Sequence, residues 1–166
     1  MGEQVRFRLK VRHYEADGYG HVNHATYAHY LEVARLEALE QLGIPLEEIR
    51  RQGYLILASE LAIRFHAPAH PGETLEILTA IRELGGVRSV WAQEAREVTS
   101  QRVVVTAEVT GVFTTEDGRP VRIPDAVREK LASLLVQSTG LPTCGCCASS
   151  TPPDAAAINR RVCPPL

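Results

Sequence analysis

Between Tyr14 and Gly43 the chain reads YEADGYGHVNHATYAHYLEVARLEALEQLG. The first part is a polar loop that carries Asp17, beside Gly18 and close to Gly20. The second part has helical spacing and begins at Asn23, whose side-chain oxygen suits capping an early orphan amide. A helix start presents unpaired N–H groups and a partial positive charge. Such an end polarises a carbonyl or holds a developing oxyanion. Gly18 and Gly20 let the backbone turn back on itself. One carboxylate facing one amide-lined helix start is a pair suited to attack on an activated carbonyl.

The helix must hold this pair in place. Tyr27, Tyr30, Leu31, Ala34, Ala38 and Leu42 recur on one face. Glu32, Arg35, Glu37 and Gln41 fall mostly on the other. Gly43 suits the left-handed position after a helix end, and Pro45 prevents continuation. A helix from His24 to Leu42 is about 28 Å long at 1.5 Å per residue.

The rest reads as strands. Val5, Phe7, Leu9 and Val11 alternate with Arg6, Arg8 and Lys10, a half-buried strand. After a short amphipathic piece from Pro45 to Gln52, β runs are expected over Tyr54–Phe65, Leu75–Leu84, Val87–Val98 and Val103–Thr114. In the third strand of the chain, Leu75, Ile77, Thr79 and Ile81 share one side. Pro68, Pro71 and Gly72, then Gly85-Gly86, Thr99–Gln101 and Asp117-Gly118 mark the turns. Strands in series with short turns predict an antiparallel meander. Asp125 is read as the cap of a last helix over Ala126–Val136. The fold class is α+β: a long central helix wrapped by a curved antiparallel sheet, with a short C-terminal helix.

Asp17, Gly20, the step through His21 and Val22, Asn23, Tyr27, and a helix carrying Glu32 and Arg35 form a pattern. In it the chain resembles the hotdog-fold acyl-CoA thioesterases of the 4-hydroxybenzoyl-CoA thioesterase type. The resemblance runs through Phe65 and the following strands and ends near Leu131. It implies a hotdog domain, bounded at residues 1–139 because the composition changes beyond Thr139, with acyl-CoA hydrolysed to free acid and CoA. It also implies Asp17 as nucleophile or general base, and the backbone N–H near His24 aimed at the thioester oxygen. No separate cofactor is implied, because coenzyme A is part of the substrate. Hotdog sheets join in pairs, so a homodimer or homotetramer with interfacial sites is expected. A thioester suits this small set of groups. Its thiolate leaves without a strong acid, since a Cys-like thiol has a pKa of about 8.5.

Each candidate also has a structural reading. Asp-Gly is a turn pair, so Asp17 can be a turn former. His21 and His24 are bases or substrate contacts on one reading and surface imidazoles on the other, as His29 is. Asn23 is a cap first, and Tyr27 packs in a core or touches substrate. Glu60, inside LASELAIRF, lies on an outer sheet face or lines a pocket at a subunit interface. Arg88-Ser89 matches an Arg/Lys-Ser step at the CoA-binding edge of the family, and an Arg fork suits phosphate. Its structural reading is a solvated strand charge. A hydratase using His21 or His24 with Glu32 is the competing enzyme class. Against it, position 22 is Val, where the hydratase step carries His. An acyl-CoA-sensing domain without catalysis is the non-enzyme alternative. The acyl group is open between short aromatic and medium aliphatic, and acyl-carrier protein remains a possible carrier.

The totals exclude other classes. The chain has 166 residues and a net charge of −2, so neither nucleic acid nor an anionic membrane is favoured as a partner. No apolar run reaches membrane-span length, and MGEQVRFRLK lacks a signal-peptide core. A cytoplasmic location is the expectation. Cys144, Cys146, Cys147 and Cys163 all fall within a Pro/Ala-rich tail, residues 140–166, in no usual zinc spacing. No metal is expected there. A site from Asp17, His21 and His24 is conceivable by residue type, but the family uses none.

Overall fold

Alternation places β1, Val5–Lys10, with Val5, Phe7 and Leu9 inward and its arginines outward. The computed structural model describes residues 4–136. A 3-10 turn, His13–Glu15, follows β1, then α1, His24–Gln41, and α2, Leu46–Arg51. The remaining elements are β2 (Tyr54–Phe65), β3 (Thr74–Leu84), β4 (Arg88–Glu97), β5 (Val103–Thr115) and α3 (Asp125–Ala132). The five strands make one antiparallel sheet in the order β1-β3-β4-β5-β2. Bulges at Ala58/Glu60, Ile81/Glu83 and Ala95/Arg96 bend its strands.

The meander holds only for β3, β4 and β5. β2 does not pair with β3; it crosses to the far edge and pairs with β5. The connection from His66 to Glu73 holds two prolines and is too long for a tight hairpin. It is bound instead across the sheet end, where His66 N–H donates to Val104 O at 2.8 Å. β1 takes the edge of β3 that β2 leaves free.

α1 lies across the sheet on its stripe. Tyr27, Tyr30, Leu31, Ala34, Ala38 and Leu39 are buried, and Ala34 and Ala38 bring the helix close to the strands. Leu75, Ile77, Thr79 and Ile81 are each fully buried beneath it, as their shared parity requires. The core divides into two clusters. One gathers Leu31, Ala34, Ile77, Ala95 and Val105 near the start of α1, and the other Ala38, Ile81, Trp91, Phe113 and Leu131 near its end. Gln93 is buried under the helix with every polar atom engaged. Its amide donates to Leu31 O at 2.9 Å and to Thr79 Oγ1 at 3.1 Å, and its oxygen accepts from Arg35 at 2.8 Å. Burial holds the Arg35 guanidinium below its ordinary pKa, with partial compensation from Glu32.

The last helix differs from the sequence reading. Pro124, not Asp125, is its cap, and Asp125 stands in the first turn. The helix ends at Ala132 rather than Val136. Its follow-on residues bond to the bulged part of β3, with Ile81 N–H donating to Leu134 O and Val136 N–H to Ile81 O. Backbone groups freed at the bulge therefore compete for the chain and win. The boundary at residue 139, the tail and its four cysteines lie outside the described residues.

The β4–β5 turn is closed by Glu97. Its carboxylate accepts from the Ser100 hydroxyl at 2.7 Å and from the amides of Thr99 and Ser100 at 2.9 and 2.6 Å. These bonds, the Ser100 hydroxyl first, lower its pKa to about 2. A lowered folded value means stability that is complete above the ordinary carboxylate range and lost as pH falls toward about 2. Glu97→Gln should therefore flatten the decline of melting temperature between pH 5 and pH 2.5, read by thermal denaturation across that window. An unchanged slope would remove Glu97 from the acid response.

Candidate active site

The loop before α1 is closed by its own backbone. Asp17 N–H donates to His21 O at 2.9 Å and Gly20 N–H to Asp17 O at 3.0 Å. Gly20 has φ +81, which a side chain would resist. Ala16 and Val22 pair as an isolated antiparallel bridge, and Val22 N–H donates to Ala69 O at 2.8 Å. The loop is thus a five-residue tip standing on the 66–73 connection.

Asp17 is at the base of this tip, with its side chain 21% exposed. One oxygen accepts from Tyr19 N–H at 2.8 Å, so Asp17 does form the turn. The other lies 3.4 Å from Nδ1 of His21. Tyr19 stacks on His21 but is otherwise exposed. Asp17, Gly20 and His21 therefore share one hydrogen-bonded loop.

Asn23 is the cap of α1 and accepts from Ala25 N–H at 2.9 Å. Thr26 N–H donates to Asn23 O at 2.9 Å. Among the described residues, His24 N–H has no acceptor. The first turn thus leaves one amide free, at position 24, and the His24 side chain is exposed. Asp17 lies near Tyr27 as well. Burial raises the Tyr27 phenol above its ordinary pKa, the Ala69 amide opposes this, and the charge of Asp17 adds to the rise. Tyr27 is 3% exposed and carries the half-exposed Phe65 ring against it at 5.7 Å. Core packing is its main role.

Glu60, Arg88 and Ser89 are elsewhere. Glu60 is exposed, beside the β2 bulge in mid-strand. Arg88 opens β4 and pairs with Glu83 at 2.8 Å. Ser89 is fully buried, its hydroxyl accepting from the Trp91 indole at 3.0 Å, and Gly111 leaves it little room. Ser89 is thus a core residue in this chain. Arg88 is separated from the Asp17 end by the length of β4, roughly 30 Å at ~3.3 Å per residue. Among the described residues no three His, Cys, Asp or Glu converge as a metal ion requires.

Sequence reasoning missed several parts of this region. Glu15 accepts from the Tyr30 hydroxyl at 2.6 Å and from Arg12 N–H at 2.7 Å. Burial, then this bond, raises the Tyr30 pKa. The pair stands in a cleft of about 920 Å³ between β1 and α1, floored by Phe7, Leu9, Val11 and Tyr30. The cleft does not include Asp17. His70 was missed too, although Nδ1 is 3.1 Å from Gly20 O. The His70 contact joins segments fifty positions apart, and no local pattern announces it.

One long helix laid over a five-stranded antiparallel sheet is the hotdog arrangement. The chain belongs to the thioesterase-like superfamily, whose family model matches residues 11–131. It is 34% identical over 137 residues to an acyl-acyl carrier protein thioesterase, ATL3, of Arabidopsis thaliana, covering 82% of this chain and 72% of that protein. It is 26% identical to the long-chain acyl-CoA thioesterase FadM of Escherichia coli, covering 79% and 99%. Among solved structures, the protein TT1821 of Thermus thermophilus matches with a TM-score of 0.73 and 30% identity, over 78% of this chain and 98% of that one. No helix among the described residues is long and apolar enough to cross a membrane.

Proposed function

We propose that this chain hydrolyses an acyl-CoA thioester, with Asp17 as nucleophile or general base and the free His24 amide polarising the carbonyl. The observation that supports this reading is that Asp17 stands in a loop closed on itself by backbone bonds, which leads within three residues of His21 to the start of α1 at His24. The anion attacks the acyl carbon or draws a proton from a water that does. Negative charge grows on the acyl oxygen and is met by the amide and the helix dipole. The C–S bond breaks, the thiolate departs, and one water is consumed for each acid and thiol released. His21, beside Asp17, and the Gly20 backbone border the space for the thioester.

A second chain completes the site. Among the described residues β2 bonds only to β5, so its other edge is unpaired over the whole strand. Leu61 and Phe65 share the parity of Ile63, which packs inward, yet they are 45% and 53% exposed. Such apolar surface on an open edge fits another copy. Antiparallel pairing of two β2 strands centred near Glu60 carries the Arg88 end of one copy toward the Asp17 end of the other. Arg88 is then available for coenzyme A phosphate, and Glu60 lies beside the two-fold axis. Sedimentation should give at least twice the chain mass.

The relative ATL3, named for acyl carrier protein, makes that carrier the second reading. The test is steady-state hydrolysis of aromatic and aliphatic acyl groups, each on coenzyme A and on carrier protein, with thiol release followed by a chromogenic reagent. Turnover on the coenzyme A series is expected. Turnover only on carrier protein selects the second reading, and none on either overturns both.

A further inference from the structure

The catalytic loop is anchored from a distance by one side chain. His70 Nδ1 lies 3.1 Å from Gly20 O, across fifty positions of sequence. A carbonyl only accepts, so Nδ1 carries the hydrogen. Gly20 is the turning point of the Asp17–His21 tip, with its φ of +81. Among the described residues this is the one side-chain hydrogen bond to the tip from outside it.

His70 is itself held. Its backbone N–H donates to Glu73 Oε2 at 3.0 Å, and Glu73 N–H returns to His70 O at 3.1 Å. Both oxygens of Glu73 accept from Arg102, at 3.1 and 3.0 Å. Gly72 N–H and Glu73 O bond to the backbone of Val11. Arg102 comes from the turn that Glu97 closes. A connected strut therefore runs from the β4–β5 turn through Arg102, Glu73 and His70 to Gly20.

We infer that His70 is a positioning residue for Asp17: it fixes the Gly20 carbonyl and so the aim of the carboxylate. This rests on the catalytic reading of Asp17. Gly20 N–H donates to Asp17 O, and His21, joined to the Gly20 carbonyl in one peptide plane, accepts at its own carbonyl from Asp17 N–H, so a shift of the Gly20 carbonyl is passed to the aspartate from both sides. Errors of about 1 Å in a reacting group cost up to ~100-fold in rate. The imidazole needs no proton exchange for this role, because Nδ1–H donates whether the ring is neutral or cationic.

The test compares His70→Ala, His70→Asn and His70→Gln, alone and with Asp17→Asn. Asn carries its N–H at the same distance from Cβ as Nδ1, whereas Gln carries it one atom further. The expected result is a loss of about tenfold in kcat for His70→Ala at nearly unchanged KM. His70→Asn should recover to within about twofold, and His70→Gln should not. Adding His70→Ala to Asp17→Asn should cost nothing further, because the aim of an absent anion is immaterial. A wild-type kcat in His70→Ala, or an equal loss in both backgrounds, overturns the inference and leaves Asp17 standing. Wild-type activity in Asp17→Asn alone overturns the catalytic reading, and the inference with it. Loss in both His70→Asn and His70→Ala points to proton chemistry at the imidazole and also overturns it.

Discussion

Asp17→Asn should lower kcat by at least ~100-fold while leaving the melting temperature within about 2 °C. The substitution removes the anion but keeps an oxygen able to accept from Tyr19 N–H, so the turn that now closes at 2.8 Å persists. The backbone bonds from Asp17 to His21 and from Gly20 to Asp17 do not involve the side chain. A hundredfold loss corresponds to about 2.7 kcal/mol of transition-state stabilisation. Steady-state kinetics beside a thermal melt distinguishes this from unfolding. A variant that melts like the parent and turns over at the parent rate would move the chemistry to another group.

The second large effect is expected at His24, whose side chain is exposed and has no part in the proposed mechanism. His24→Pro deletes the one free amide of the first helical turn. Proline is tolerated there, because the first helical position needs no donor and its φ is already suitable. The residue before a proline must be extended, and Asn23 already is, at φ −58 and ψ 137. The cap bond from Ala25 N–H to Asn23 is untouched. kcat should fall by ~100-fold or more, as for loss of one oxyanion donor. His24→Ala, which keeps the amide, should stay within a few-fold of the parent. Circular dichroism reports whether α1 survives. An active His24→Pro enzyme with an intact helix would show that some other donor holds the oxyanion.

Much of the architecture was legible because it depends on period. The alternation from Val5 to Val11 and the stripe from Tyr27 to Ala38 are local facts about which side faces a core. The Asn23 cap and the Gly20 turn were legible for the same reason, since each solves a problem within a few residues. Strand order was not. Nothing within Tyr54–Phe65 says that its partner is β5 rather than β3. The end of α3 was misread because the alternative, bonding at the β3 bulge, is offered by a distant strand. Ser89 looked like a ligand contact beside Arg88, yet parity turns it toward Trp91 and the core. His70 passed unnoticed since its meaning comes from a carbonyl fifty positions away. In each case the missing quantity was a contact across the chain.

The distance between the two ends of the sheet has a genetic consequence. If Asp17 from one copy works with Arg88 from another, a defect at either end spoils a different half of each shared site. A mixed dimer of one chain lacking the aspartate and one lacking the arginine then contains one site with both defects and one with neither. Two alleles, each inactive alone, restore activity when expressed together. A dominant-negative allele is correspondingly hard to obtain at either position, because every mixed pair with the parent keeps one sound site.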